Sequence, residues 1–119
     1  MAVPSSGSSR VDQAIVVLVT AASQEEAAKI GRAVVEAGLA ACANILPAVR
    51  SIFRWEGEIT EEAESLIILK SRTDLFDTLM ATIKRHHSYS VPEIIALPIA
   101  LGAPDYLAWI REVTEAKNG

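Results

Sequence analysis

The sequence has a single cysteine, no long hydrophobic run and no signal-peptide pattern. Cys42 has no second cysteine to pair with in the chain, and an unpaired thiol suits a reducing compartment, so we expect a cytoplasmic protein. No apolar run approaches the roughly 20 residues that cross a bilayer. Residues 1–12 are small and polar and lack the apolar segment of a signal peptide. We interpret them as a flexible tail and expect no membrane partner.

An excess of positive charge is also missing. The formal net charge is -4, and the 11 basic residues are scattered along the chain. Nucleic-acid affinity depends largely on clustered Lys and Arg, so the sequence indicates no nucleic-acid partner.

The familiar enzyme motifs are absent as well. The chain has no Gly-rich phosphate loop, nucleophile elbow, CxxC or HExxH pattern. At 119 residues it forms one domain. We therefore predict a protein that acts by binding and not an enzyme.

The dominant feature present is one long β-hairpin from Leu39 to Arg72. Apolar and polar residues alternate along its first arm with the two-residue period of a strand. The predicted turn is Glu56-Gly57, because glycine tolerates the positive φ of tight hairpin turns. The second arm is acidic near the turn and apolar further on. The acidic residues are Glu56, Glu58, Glu61, Glu62 and Glu64.

The length of this hairpin predicts association of the chain. An arm of about 14 residues spans about 46 Å, whereas a compact domain of this size is only about 35 Å across. The turn then overhangs the domain and exposes Phe53, Trp55 and Ile59, which we expect a second copy of the chain to cover. The alternative is a hairpin that kinks at Pro47 and folds over its own sheet, since proline marks strand edges and bulges.

The remaining segments predict an α+β fold. Hydrophobic periodicity and capping signals place strands at Ala14–Thr20 and Glu93–Ala100, and helices at Ser23–Ala37, from Thr73-Asp74 to about His87, and from Pro104 onward. The first strand is apolar throughout, which is typical of a central strand or of one covered on both faces. The order βαββαβ plus a C-terminal helix is the ferredoxin-like arrangement.

Two adjacent histidines, His86 and His87, are the clearest candidate metal ligands. Imidazole binds Cu(II) and Zn(II), and Glu93 supplies a nearby carboxylate. Because neighbours on a helix point about 100° apart, both rings reach one metal only if the helix unwinds there. The alternative is that both rings pack and cap the last helical carbonyls. We interpret Cys42 as a small buried hydrophobic residue. The less favoured alternative is a soft metal ligand or a nucleophile.

Several segments together resemble the CutA divalent-cation tolerance family: AIVVLVTAASQEEA, LAACANILPAVRSIFRWEGEI, ESLIILKSR, HHSYSVPEIIALPI and DYLAWI. The resemblance implies a single ferredoxin-like CutA domain over residues 13–119, a homotrimer, and binding of copper (Cu²⁺) or other divalent cations at His86 and His87. Two positions depart from the family pattern: Val19 replaces a thiol, and Ser88 replaces a proline. Other family-typical residues, which the resemblance places around clefts between subunits, are Cys42, Trp55, Glu64, Lys70, Tyr89, Pro92, Glu93, Tyr106 and Trp109.

The sequence therefore predicts a homotrimeric divalent-cation tolerance protein that binds copper. The first alternative is a regulatory trimer similar to the PII signalling proteins, with a small anionic or zwitterionic ligand in a cleft lined by Lys70, Tyr89 and Glu93. The second alternative is a trimeric scaffold for a protein partner.

Overall fold

The computed structural model describes residues 13–115, so the predicted tail lies outside the described residues. Within these residues, four strands and three α-helices follow one another along the chain. Their order is β1 (Ala14–Ala21), α1 (Gln24–Glu36), β2 (Cys42–Trp55), β3 (Glu58–Arg72), α2 (Phe76–His86), β4 (Ile94–Pro98) and α3 (Pro104–Glu115). Among residues 13–115, no helix is both long and apolar enough to cross a membrane.

The strands form one antiparallel sheet in the order β2-β3-β1-β4. This order confirms the predicted ferredoxin-like fold. β1 is central, as predicted, but only one of its faces is fully buried. Val17 and Val19 on that face contribute to a core shared with Ile30 of α1 and Ile83 of α2, whereas Val16 and Leu18 on the other face remain half-buried.

Helix α1 begins and ends close to the predicted positions. The hydroxyl of Ser23 accepts a hydrogen bond of 3.0 Å from the backbone N–H of Glu26. The reciprocal bond of this capping box is displaced by one residue, since Glu26 accepts from the backbone N–H of Ala22 at 2.9 Å. Gly38, with φ 75°, follows the helix and supplies the predicted left-handed position.

The long hairpin is present, with strands of 14 and 15 residues. Glu56 and Gly57 have φ values of 51° and 81°, the two positive values that a two-residue hairpin turn requires. The described chain measures 49 Å along its longest axis and 27 and 24 Å along the others. The strands therefore extend away from the core and do not fold back over it.

Pro47 lies in a β-bulge, as its sequence position indicates. Between the paired positions Leu46 and Val49, the two residues Pro47 and Ala48 face the single residue Ser65 of β3, so one extra residue is accommodated. The exposed apolar residues of the hairpin differ slightly from the prediction. Ile59 is 61% exposed, but Phe53 is half-buried, because Phe53 lies on the concave side against the segment that follows α2.

Helix α2 corrects a predicted cap. Thr73 and Asp74 were expected to cap it, but they form a short 3₁₀ turn, and α2 begins at Phe76 with no side-chain cap. The hydroxyl of Thr73 instead accepts from the backbone N–H of Gln13, and the carboxylate of Asp74 pairs with Arg72 at 3.0 Å. A long-range partner for Thr73 and a local one for Asp74 thus use the side chains that would otherwise cap the helix.

β4 is shorter than the sequence predicts, and α3 has an exposed aromatic residue. β4 covers Ile94–Pro98 and not Glu93–Ala100, and it is an edge strand that ends at its proline. In α3, Ile110 is buried, whereas Tyr106 is 42% exposed. Thr114 is also buried, and its hydroxyl accepts a hydrogen bond of 2.8 Å from Nε of Arg72.

Candidate functional site

His87 joins the end of α2 to the end of β1. Its Nε2 lies 2.7 Å from the carbonyl oxygen of Thr20, and its Nδ1 lies 3.0 Å from the backbone nitrogen of Tyr89. An amide N–H only donates, so Nδ1 accepts and Nε2 carries the proton that it donates to Thr20. Both ring nitrogens of this neutral tautomer are therefore occupied within the chain.

His86 is attached at only one nitrogen. Its Nδ1 lies 3.0 Å from the carbonyl oxygen of Thr82, which accepts, so Nδ1 carries the proton. Among residues 13–115, Nε2 of His86 has no hydrogen-bond partner. A ring held by one nitrogen on a backbone carbonyl, with the other nitrogen free, is the arrangement of metal-ligating histidines. The structure thus separates two histidines that the sequence presents as a pair.

Glu26 fixes the loop after α2 from the opposite side. Its two carboxylate oxygens accept from the backbone N–H groups of Ala22 and Ser88, at 2.9 and 2.7 Å. Burial raises the pKa of Glu26, but these hydrogen bonds lower it by more, so its pKa lies below the usual value. In the sequence, the only signal at Glu26 is its position three residues after Ser23, the spacing of a capping box.

Tyr89 and Glu64 form a short hydrogen bond inside the same region. The Tyr89 hydroxyl donates to Oε2 of Glu64 at 2.6 Å, and Glu64 is only 8% exposed. Burial and the hydrogen bond to Glu64, with the negative charges of Glu64, Glu62 and Glu26, raise the pKa of Tyr89 far above its usual value. The tyrosine is therefore a neutral donor across the physiological pH range.

A cavity of about 540 Å³ lies between the outer half of the hairpin and the segment after α2. It brings together four residues that the sequence analysis selects: Trp55, Glu64, Tyr89 and Glu93. Its volume falls within the range of small-molecule sites, about 300–1,000 Å³.

Two other selected residues, Cys42 and Lys70, lie elsewhere in the sheet. Nζ of Lys70 donates to Oδ1 of Asn44 at 2.7 Å and lies 3.9 Å from Sγ of Cys42. Sγ of Cys42 is also 3.7 Å from the Tyr106 hydroxyl, and this hydrogen bond, together with burial, raises the pKa of Tyr106. Within one chain, Lys70 is six strand positions from Glu64, about 20 Å. It therefore does not line the cavity beside Tyr89 and Glu93.

The model of the CutA1 divalent ion tolerance protein family matches residues 15–113. The chain belongs to this family. It is 50% identical over 99 residues to the divalent-cation tolerance protein CutA of Thermus thermophilus, over 83% of this chain and 96% of that protein. A solved structure of a divalent cation tolerance protein, Cut A1, from the same organism matches with a TM-score of 0.83 at 50% identity, over 85% of this chain and 98% of that chain.

An archaeal CutA structure gives a similar match. The Archaeoglobus fulgidus protein, described as the periplasmic divalent cation tolerance protein CutA, matches with a TM-score of 0.82 at 39% identity, over 85% of this chain and 98% of that chain. The family predicted from the sequence is therefore confirmed. The cytoplasmic location remains a prediction.

As a member of the CutA1 family, the chain is associated with divalent cations in general. A site for such a cation needs several donor side chains close together. Within residues 13–115, no group of three or more His, Cys, Asp or Glu side chains is arranged to hold a metal ion. Val19, at the position where the resemblance places a family thiol, is fully buried in the core. His86 is the candidate that combines a free imidazole nitrogen with a half-exposed position.

Proposed function

We propose that this protein is a homotrimer that binds divalent cations, copper(II) foremost, and acts by binding without catalytic turnover. The observation that carries the proposal is the free Nε2 of His86 at the end of α2. Its ring is oriented by the Thr82 carbonyl, so the ligand nitrogen is held in place before a metal arrives. Imidazole favours Cu(II) over the other divalent first-row metals.

The hydrogen bonds assign different parts to the two predicted ligands. A metal on His86 leaves the described contacts of the chain intact. A metal on His87 displaces either the Thr20 carbonyl or the Tyr89 N–H. His86 is therefore the first ligand of the proposed site. His87 joins it only if the loop after α2 rearranges, and one imidazole alone predicts weak binding unless other donors join.

Two observations support the proposed homotrimer: the family resemblance and the shape of the hairpin. A two-stranded ribbon is marginally stable in water, and this one carries Ile52 and Ile59 at 64% and 61% exposure. A second copy that covers them removes large apolar side chains from water and supports the strands. Three copies, each covering the next, give a closed assembly.

The test is a calorimetric titration of the metal-free protein with Cu(II) and Zn(II), with molar mass measured by light scattering on the same samples. We expect weak binding that saturates at one metal ion per chain, at the mass of a trimer. His86→Ala should abolish this binding and keep the mass. Lys84→Ala, a substitution of a neighbouring exposed residue in the same helix, should change neither. Undiminished copper binding by His86→Ala contradicts the site, and the mass of one chain contradicts the assembly.

A small-ligand regulatory role is the second candidate, because the cavity described above has the volume of a ligand site. In the proposed trimer, another subunit covers the outer hairpin and encloses this cavity further. A rise in the melting temperature with a small molecule, in a chelator that removes metal ions, distinguishes this role from metal binding.

A further inference from the structure

The outer half of the hairpin carries different charges on its two faces. Side chains point alternately to one face and the other along each strand, and residues paired across the two strands share a face. By this register, one face, which we call the arginine face, consists of Arg50, Ile52, Arg54, Ile59, Glu61 and Ala63. The opposite face, which we call the glutamate face, contains Phe53, Trp55, Glu58, Glu62 and Glu64.

The arginine face presents one cation that has no partner in its own chain. Arg50 pairs with Glu61 on the same face. Among residues 13–115, no carboxylate oxygen lies within 4.0 Å of the Arg54 guanidinium. Beside Arg54, Ile52 and Ile59 are 64% and 61% exposed. This face therefore offers an unpaired guanidinium surrounded by apolar surface.

The glutamate face is complementary to the arginine face in both charge and apolar character. It has three carboxylates and no basic side chain, and within the described part of the chain no Lys or Arg nitrogen lies within 4.0 Å of those carboxylates. Its apolar part is aromatic, with Trp55 48% exposed and Phe53 half-buried. The same face forms one wall of the cavity beside Tyr89.

This distribution of charge favours one kind of contact between copies. A two-fold contact of either face with itself places like charges opposite each other, Arg54 against Arg54 or Glu62 against Glu62, which is unfavourable. Contact of the arginine face with the glutamate face pairs opposite charges. Because the two faces lie on opposite sides of one hairpin, each copy then contacts two different neighbours. Such contacts repeat from copy to copy and close into a ring in the proposed homotrimer.

We propose that the arginine face of each hairpin packs on the glutamate face of the next copy, so that a second copy completes the cavity. The guanidinium of Arg54 donates to the carboxylate of Glu62 in the next copy, and Ile52 and Ile59 pack on the aromatic rings there. The hydrogen bond between Tyr89 and Glu64 is retained, since it lies within one chain. This inference rests on the proposed homotrimer and not on copper binding at His86.

The first test exchanges the two charges in the full-length protein. Light scattering on a dilution series, at a urea concentration that partly dissociates the parent, gives the chain concentration of half dissociation. Arg54→Glu and Glu62→Arg should each raise it about tenfold or more, because like charges then meet. The double variant should return to within about threefold of the parent. The two side chains lie on opposite faces of one hairpin, so this recovery reports contact between copies.

Arg32→Glu is the matched control for the change of charge. Its side chain is 78% exposed on α1, away from the hairpin. The concentration of half dissociation should therefore change less than about threefold.

The second test links the copies covalently and does not depend on their stability. Arg54→Cys and Glu62→Cys are combined in one chain with Cys42→Ser and treated with a short bifunctional maleimide, because an Arg–Glu pair holds its Cα atoms further apart than a disulfide allows. We expect a covalent product of three chains on a denaturing gel. Arg32→Cys in place of Arg54→Cys should give single chains only.

The outcomes separate this contact from the assembly itself. A parent with the mass of one chain overturns the homotrimer and this inference together. A trimeric parent overturns the contact alone if the single charge variants dissociate as the parent does, if the double variant does not recover, or if no chains are linked. His86→Ala should behave as the parent in both tests, so failure of the copper site leaves these results unaffected.

Discussion

Nε2 of His87 donates a 2.7 Å hydrogen bond to the carbonyl oxygen of Thr20, which joins the end of α2 to the end of β1. The other ring nitrogen accepts from the backbone N–H of Tyr89 at 3.0 Å and so bends the chain directly after the helix. One side chain thus fixes the segment that carries Tyr89 into the cavity.

His87→Ala should lower the free energy of unfolding by about 1–3 kcal/mol, because it leaves a carbonyl and an N–H without their partner. His86→Ala should cost less than about 1 kcal/mol, since it removes one half-exposed bond within the helix. Urea denaturation at a fixed protein concentration measures both values. His87→Asn is the informative control, since its side chain still accepts from the N–H two residues on and should recover part of the loss. Equal losses for the two alanine variants contradict the separation of the two roles.

Glu26→Gln should destabilise the protein at neutral pH by about 1–3 kcal/mol, because a glutamine amide presents a donor where the carboxylate accepts from Ala22 or Ser88. The pKa of Glu26 is lower in the folded chain than its ordinary value of 4.5. Its contribution is therefore complete above pH 4.5 and is lost as the pH falls through the folded pKa.

Denaturation series from neutral to acidic pH should show the difference between parent and Glu26→Gln shrinking on acidification. Glu25→Gln, in the same helical turn but with an exposed side chain, should lie within about 0.5 kcal/mol of the parent throughout. A difference between parent and Glu26→Gln that is constant with pH would show that the carboxylate charge has no part in the loop.

Tyr89→Phe should cost about 1–3 kcal/mol at neutral pH, because the buried carboxylate of Glu64 loses its hydroxyl donor. Burial and this hydrogen bond raise the pKa of Tyr89 in the folded chain above its ordinary value of 10.0. The stability that the hydroxyl contributes is thus complete below pH 10.0 and is lost as the pH rises through the folded pKa.

Denaturation above pH 10.0 should therefore reduce the difference between the parent and Tyr89→Phe. Tyr106→Phe is the matched control, because Tyr106 is the second tyrosine of the chain and lies outside the cavity. Its substitution should cost less than about 1 kcal/mol at neutral pH, because its hydroxyl makes only a 3.7 Å contact with Sγ of Cys42. A Tyr89→Phe variant as stable as the parent at neutral pH would mean that Glu64 finds another donor.

The fold was predictable because its signals are local. Apolar periodicity places β1 and both core helices, Ser23 and Gly38 delimit α1, and Glu56-Gly57 specifies the hairpin turn. The predicted cap of α2 is wrong because other groups bind its side chains. Thr73 accepts from the backbone N–H of Gln13, 60 positions away, and Asp74 pairs with Arg72, two positions before it.

The site was predictable only as a set of residue types. Adjacent histidines in a sequence look equivalent, and the difference between His86 and His87 depends on Thr20, which is 67 positions away from His87. Likewise, β3 places Glu62 and Glu64 beside the segment that follows α2, and the two segments line one cavity. No residue spacing within either segment predicts that they lie side by side.

The sequence by itself determined the elements, their order, the overhanging hairpin and the family, because all of these depend on short-range periodicity, turn chemistry and motif identity. Only the tertiary structure decided which imidazole nitrogen is free, that Lys70 lies apart from Tyr89 within one chain, and that the hydroxyl of Tyr89 donates to the buried carboxylate of Glu64. The physical reason is that hydrogen bonding and desolvation act between groups in space. Partners from distant segments are assigned when the sheet and helices pack.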